Sequence, residues 1–265
     1  MYTRYVALGD SQTEGLGDGD DVRGHRGWAD RLAEHLDRTV SPGLLYANLA
    51  VRGRLAAQIR DEQLPAALEL RPDLATVMAG MNDLIRPGFD AARVAGALED
   101  MYAALTATGA RVVAVTFPDI GAIMPLARPL LPRVLDLNAR IRQAAARHGV
   151  TLLDSFPLAF ATDARMWSSD RLHASPEGHA RIAAAVAHAL ELPDGGDTSW
   201  RDPFPPLAAS RAWRAVAAEA RWLGTFAGPW LARRLRGRSS GDGRTAKRPV
   251  LAPVGQSSSG TSPAS

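Results

Sequence analysis

Two hydrophobic periods alternate along this chain. Short apolar runs at residues 4–8, 44–48, 73–78, 111–117 and 151–154 have the length and composition of buried strands. Between them, apolar positions recur every three to four residues: Trp28, Leu32 and Leu36; then Leu55, Ile59 and Leu64; then Val94, Leu98, Met101 and Leu105. The same spacing runs through 134–147 and 177–190. It gives each helix one apolar face. Five buried strands separated by amphipathic helices predict an α/β fold, a five-stranded parallel sheet with helices on both faces in a three-layer α/β/α sandwich. In such a sheet the carboxyl ends of the strands share one rim, and ligands bind there.

Three of the predicted strands end in residues that carry chemistry. After the first comes Gly9-Asp10-Ser11-Gln12-Thr13-Glu14-Gly15, a tight turn bracketed by glycines. A hydroxyl held at that rim, beside backbone N–H groups, is a candidate nucleophile. The same residues also suit an ordinary strand-to-helix turn in which the serine is only a cap. Asn48-Leu49-Ala50-Val51-Arg52-Gly53 follows the second strand, and Gly80-Met81-Asn82-Asp83 follows the third. The Gly53 N–H and the Asn82 amide are candidate donors to a developing oxyanion, or plain turn residues. Near the end of the periodic region, Asp170-Arg171-Leu172-His173 precedes the helix start Ser175-Pro176-Glu177. An acid at that spacing can hold the imidazole Nδ1–H and leave Nε2 to take a serine proton. A surface histidine beside a helix is the bland alternative. His179, inside the following helix, reads as structural, as do His148 and His188.

These four blocks, in this order, resemble the SGNH hydrolases, a branch of the GDSL esterases and lipases. The resemblance spans roughly residues 4–190. It implies a flavodoxin-like form of the predicted sandwich. It further implies Ser11 as nucleophile, His173 as base, Asp170 as the residue orienting His173, and an oxyanion hole made by the Ser11 N–H, the Gly53 N–H and the Asn82 side chain. Gln12 replaces the leucine of the name-giving motif, at a position expected to carry no chemistry. The expected reaction is cleavage of a carboxylic ester through an acyl-enzyme intermediate, with no metal and no cofactor. A carbohydrate deacetylase or an acyltransferase using the same site is the alternative within that chemistry. A non-catalytic binding or scaffolding protein is the alternative outside it. The first turn lacks the glycine spacing and lysine of a P-loop, which argues against phosphate binding.

Composition narrows the picture further. The 265 residues are 46% hydrophobic, enough for a substantial core. There is no cysteine, so disulfides, thiolate metal sites and a thiol nucleophile are excluded. The first residues form a charged, strand-like segment without the apolar stretch of a secretory signal. No run approaches the ~18 apolar residues of a membrane span, so a cytoplasmic location is expected. The proline-rich, apolar stretch 118–132 reads as a long rim loop able to line an acyl pocket, and 156–167 as a second wall.

Past residue 195 the character changes. Residues 1–194 read as the catalytic domain, 195–238 as a basic, tryptophan-rich helical extension, and 239–265 as a disordered tail dominated by Ser, Gly, Thr and Pro. Residues 200–248 hold 11 Lys and Arg against 3 Asp and Glu, whereas residues 1–199 hold 20 against 25. Four of the six tryptophans lie between 200 and 230. A helix is predicted over 209–227, with Trp213, Val216, Ala220 and Leu223 on one stripe, and a short second one over 230–236. Packing against its own domain or a partner protein suits the tryptophans, and contact with an anionic membrane surface suits the charge. No nucleic-acid module accompanies the basic residues, so no nucleic acid is expected. The expected ligand is a small-molecule or lipid ester.

Overall fold

The computed structural model describes residues 1–192, 198–206, 221–228 and 240–256. Strand β1 (Arg4–Gly9) runs into the one-turn helix α1 (Ser11–Glu14), followed by a small ribbon of β2 (Gly19–Asp20) and β3 (Gly24–His25). Then come α2 (Trp28–Thr39), β4 (Leu45–Asn48), α3 (Ala56–Glu69), β5 (Leu74–Met78), α4 (Met81–Leu84) and α5 (Ala91–Ala107). The chain continues with β6 (Arg111–Val115), α6 (Ile120–Ile123), α7 (Leu131–Arg147), β7 (Thr151–Leu153), α8 (Pro176–Ala189) and β8 (Arg248–Pro253).

The main sheet has the order β7-β6-β5-β1-β4-β8. Strand β1 pairs in parallel with both β4 and β5, β5 with β6, and β6 with β7. Counted in chain order, those five strands stand as 2-1-3-4-5, the flavodoxin-like arrangement. The chain therefore starts in the middle, winds out to β4, and returns across β1 to β5. Where the direction of winding reverses, the loops after β1 and β5 part and leave a crevice at the carboxyl ends. Ser11 follows β1 and Asn82 follows β5, so both stand at that crevice.

Alternate side chains of each strand enter opposite core layers, as the pleat requires. Val6 and Leu8 of β1 pack with Ile59 of α3, Leu98 and Met101 of α5, and Leu137 and Ile141 of α7. Tyr5 and Ala7 face the other layer, with Leu32 and Leu36 of α2 and Val186 and Leu190 from α8 and its end. Both faces are covered, which is why these strands read as continuous apolar runs.

Three expectations need correction. The sheet has a sixth strand: β8 pairs antiparallel with β4, in the segment 239–265 expected to be disordered. Its six residues Arg-Pro-Val-Leu-Ala-Pro are too short and too proline-rich to stand out from a low-complexity tail. The stretch 118–132 is no open loop, because Asp119 caps α6 and a 3-10 helix over Pro125–Leu130 leads directly into α7. In the stretch 156–167, Phe160, Ala161 and Met166 are buried in the core and line a separate small apolar cavity of about 40 Å³ rather than the one at Ser11.

The helix expected over 209–227 is seen only in part. Residues 221–228 are helical, with a wide turn over Leu223–Ala227, while Trp213, Val216, Ala220 and the helix expected over 230–236 lie outside the described residues. Trp200 is buried against the body, edge-on to Phe160 at 5.7 Å. Among the described residues, no helix is long and apolar enough to cross a membrane.

Candidate active site

The turn after β1 is shaped by crowding. A Cβ on Gly9 would meet the Thr13 hydroxyl oxygen at 2.4 Å and the Met78 carbonyl oxygen at 2.7 Å, so only glycine lets α1 start there. Asp10 caps the helix, accepting the Gln12 N–H at 3.2 Å. Ser11, one residue later, opens onto a cavity of about 220 Å³. Gly53, Asn82, Asp170 and His173 line the same cavity, so the structure brings together all five residues singled out in the sequence.

The loop that carries the histidine is the most fully built part. It is pinched at its base by a bridge between Trp167 and Ala174 and by the Ser168 N–H donating to the His173 carbonyl at 2.8 Å. Within it, His173 Nδ1 lies 2.6 Å from Asp170 Oδ2. The other oxygen, Oδ1, accepts from the Ser168 hydroxyl at 2.7 Å and from the Leu172 and His173 N–H groups at 2.9 and 3.0 Å. Burial works to raise the Asp170 pKa, but these bonds and the neighbouring imidazole outweigh it and hold the carboxyl well below its usual range. Asp170 is therefore an anion at neutral pH. Its carboxylate can accept a hydrogen bond from His173 Nδ1, which turns Nε2 away from the acid.

The opposite wall is assembled from three separate segments. Gly53 adopts φ +77°, a conformation that side chains disfavour, at the end of a turn set by Asn48. That asparagine is wholly buried, donating to the Thr13 carbonyl at 2.8 Å and the Tyr46 hydroxyl at 2.9 Å while accepting the Ala50 N–H. The N–H groups of Ser11 and Gly53 are not engaged by an acceptor among the described residues. Asn82 differs, because its Nδ2 donates to Asp10 Oδ2 and to the Arg54 carbonyl, both at 3.1 Å. To serve an oxyanion, this amide must share or exchange one of those bonds. The Ser11 hydroxyl makes no hydrogen bond to a described residue. Contacts of this kind commonly tighten only when substrate is bound.

Four further side chains shape the site and escaped the sequence reading. Gln12, expected to carry no chemistry, is 7% exposed and grips the histidine loop on both sides of His173. Its Nε2 donates to the Leu172 carbonyl at 2.7 Å, and its Oε1 accepts the Ala174 N–H at 3.1 Å. Glu14 accepts the backbone N–H of Arg52 at 2.7 Å and its Nε at 2.9 Å, tying the end of α1 to the residue before Gly53. Arg52 also reaches Asp21 Oδ1 at 2.8 Å. Asp10 is buried, and burial first of all pushes its pKa up to about 7, helped by nearby Asp83 and opposed by the Gln12 N–H, His173 and Asn82. The sequence carries no local signal for such groups. Their partners are far away along the chain and stay invisible.

His179 is structural, as expected. Its Nδ1 accepts the Trp28 N–H at 3.1 Å, and its Nε2 donates to the Leu16 carbonyl at 2.9 Å. Burial lowers its pKa to about 4, so the ring stays neutral and fastens α8 to the start of α2. The remaining lining of the cavity is largely apolar, from Leu16, Met81, Ile85, Leu172 and Phe226. None of these belongs to the two stretches expected to form its walls. Among the described residues, no group of three His, Asp or Glu side chains converges as a metal site would.

Known proteins show the same body. The GDSL-like Lipase/Acylhydrolase family model matches residues 7–181. LAE5, an alpha/beta hydrolase enzyme from the metagenome of Lake Arreo, is 23% identical, with a TM-score of 0.60 over 71% of this chain and 95% of its own. TesA is 24% identical, with a TM-score of 0.58 over 71% of this chain and 98% of its own. A catalytic mutant of Axe2, an acetylxylan esterase from Geobacillus stearothermophilus, is 17% identical, with a TM-score of 0.59 over 71% and 94%. Among curated proteins none matches the chain in sequence. At these identities the structural likeness speaks for the fold, and the family match over most of the catalytic body speaks for the chemistry. The chain belongs to the GDSL-like lipase/acylhydrolase family and is a carboxylic ester hydrolase.

Proposed function

We propose that Ser11, His173 and Asp170 act as a catalytic triad that cleaves small carboxylic esters through an acyl-enzyme. The observation that carries this reading is the 2.6 Å contact of His173 Nδ1 with Asp170 Oδ2 on the wall of the cavity that Ser11 also lines. His173 Nε2 takes the Ser11 hydroxyl proton as Oγ attacks the acyl carbon. The carbonyl π bond gives way to an oxyanion, which the Ser11 and Gly53 N–H groups and the Asn82 amide receive. The alcohol leaves with the proton from His173. Water then attacks the acyl-enzyme, giving up a proton to the same imidazole, and the acid departs as Ser11 regains its hydrogen.

The size of the cavity favours a short acyl group, and a second reading within that limit is deacetylation of carbohydrate acetates. At about 220 Å³ the cavity is smaller than the ~300–1,000 Å³ usual for sites enclosing drug-sized ligands, and Axe2 is described as an acetylxylan esterase. Turnover of p-nitrophenyl acetate, butyrate and octanoate by wild type, Ser11→Ala and His173→Ala tests the triad. Wild-type rates in Ser11→Ala would overturn it. Release of acetate from acetylated xylo-oligosaccharides faster than from p-nitrophenyl acetate would select the second reading.

A further inference from the structure

The family match stops at residue 181, yet side chains from well beyond it reach the site. Trp222 is 6% exposed, and its Nε1 donates to the backbone carbonyl of Asp170 at 3.0 Å. The guanidinium of Arg171 lies over its ring, 4.9 Å from the centroid. Phe226, four residues later in the same helical segment, lines the cavity together with Ser11 and His173. Ser240 lines it too. Next to Ser240, the backbone of Gly241 comes so close to the Arg52 carbonyl oxygen that a Cβ there would stand 1.9 Å away. Beyond that point Arg244 binds Asp21, Lys247 donates to the His25 carbonyl, and β8 joins the sheet. The extension thus touches both the histidine loop and the segment that ends in Gly53.

We propose that this C-terminal extension is a working part of the catalytic site. Trp222 is a positioning residue for the Asp170–His173 loop, and Phe226 limits the acyl group admitted beside Ser11 to short chains. The proposal rests on the triad reading above. Asp170 can orient His173 only if its own backbone is held, and Arg171, the next residue, adopts φ +59°, which a side chain disfavours. The indole N–H on the Asp170 carbonyl and the ring against Arg171 hold the loop at that point from outside. Phe226 puts an aromatic ring on the cavity wall, where an acyl chain lengthened beyond a few carbons would meet it. Its truncation opens that wall.

Full-length variants decide the matter. Phe226→Ala should raise the ratio of kcat/KM for p-nitrophenyl octanoate over acetate by about tenfold or more. Trp222→Phe keeps the ring and removes the donor. It should lower kcat on acetate by roughly three- to thirtyfold with KM unchanged, and slow Ser11 labelling by a fluorophosphonate in proportion. An unchanged chain-length ratio in Phe226→Ala overturns the role of Phe226, and wild-type kcat and labelling in Trp222→Phe overturn the role of Trp222. Phe226 is 38% exposed, so its truncation spares the fold and the chain-length profile decides even if Trp222→Phe unfolds. A fully active Ser11→Ala would instead remove the triad reading, a result distinct from either outcome.

Discussion

The two halves of this site are built on different plans. The half that moves the proton in the proposed mechanism is local and finished: one loop of a few residues carries both Asp170 and His173, and every oxygen of the acid is occupied. The half proposed to receive charge is drawn from the ends of three strands, and its one side-chain donor, Asn82, is already committed to Asp10 and Arg54. A short loop can be pre-set by its own hydrogen bonds, because closing it costs little chain entropy. Donors from separate strands depend on what joins the strands. Here the joints are Gln12, which ties the Ser11 turn to the histidine loop, and the Glu14–Arg52 pair, which ties it to Gly53.

The contrast can be broken most sharply at its centre. Ser11→Ala and His173→Ala should each lose about 10³-fold or more in kcat/KM on p-nitrophenyl acetate, since nucleophile and base act as a unit. His179→Ala should leave a catalytic loop intact but lower the melting temperature, because it strands two buried backbone groups at about 1–3 kcal/mol each. A dead but fully stable His179→Ala beside an active His173→Ala would show the base to be misassigned. Next in size, Asp170→Ala should cost about 10²-fold or more in kcat. Asn82→Ala should cost less than the ~10²–10³-fold typical of an oxyanion donor, since its amide is shared before substrate arrives. If Asn82→Ala proves the more damaging of the two, the finished and unfinished halves are reversed.

Gln12→Leu probes the joint itself. It removes two hydrogen bonds that bracket His173, and a loss of about 1.4 kcal/mol in positioning would appear as roughly a tenfold lower kcat with KM near wild type. No change in kcat would return Gln12 to the neutral role that the motif suggested. The smallest effect is in stability. The pKa of Asp10 is raised on folding to about 7, so its stabilising contribution is present below the unfolded value near 4 and is lost as pH rises through 7. Asp10→Asn cannot ionise, so its melting temperature should gain a few degrees on that of the wild type between pH 4 and pH 8. A constant difference across that range would mean that Asp10 is not held protonated.

Much of this is legible in the sequence, for a physical reason. The five parallel strands are buried on both faces, so their apolar runs are unbroken and their positions follow from composition alone. Ser11, Gly53 and Asn82 each follow such a run, and Asp170 and His173 stand just before a helix start. What escaped detection depends on partners remote in sequence: Gln12 meets residues 172 and 174, and Trp222 meets Asp170. Nothing local distinguishes a glutamine that clamps a loop from one that faces water. The stretch 118–132 misled because its prolines mimic an irregular loop, whereas Pro125 begins a 3-10 helix and Pro132 falls in the first turn of α7, where a missing N–H costs nothing.

Strand β8 has a consequence beyond the site. A parallel sheet of this kind ends in an open row of backbone donors and acceptors along β4, a template on which other chains can polymerise. The antiparallel strand occupies that row with the chain's own tail. It carries Pro249 and Pro253, each without an N–H, and proline is tolerated in a strand where the missing donor faces outward. The tail therefore covers that edge with the chain's own backbone, and its two prolines leave fewer donors for a further strand to pair with.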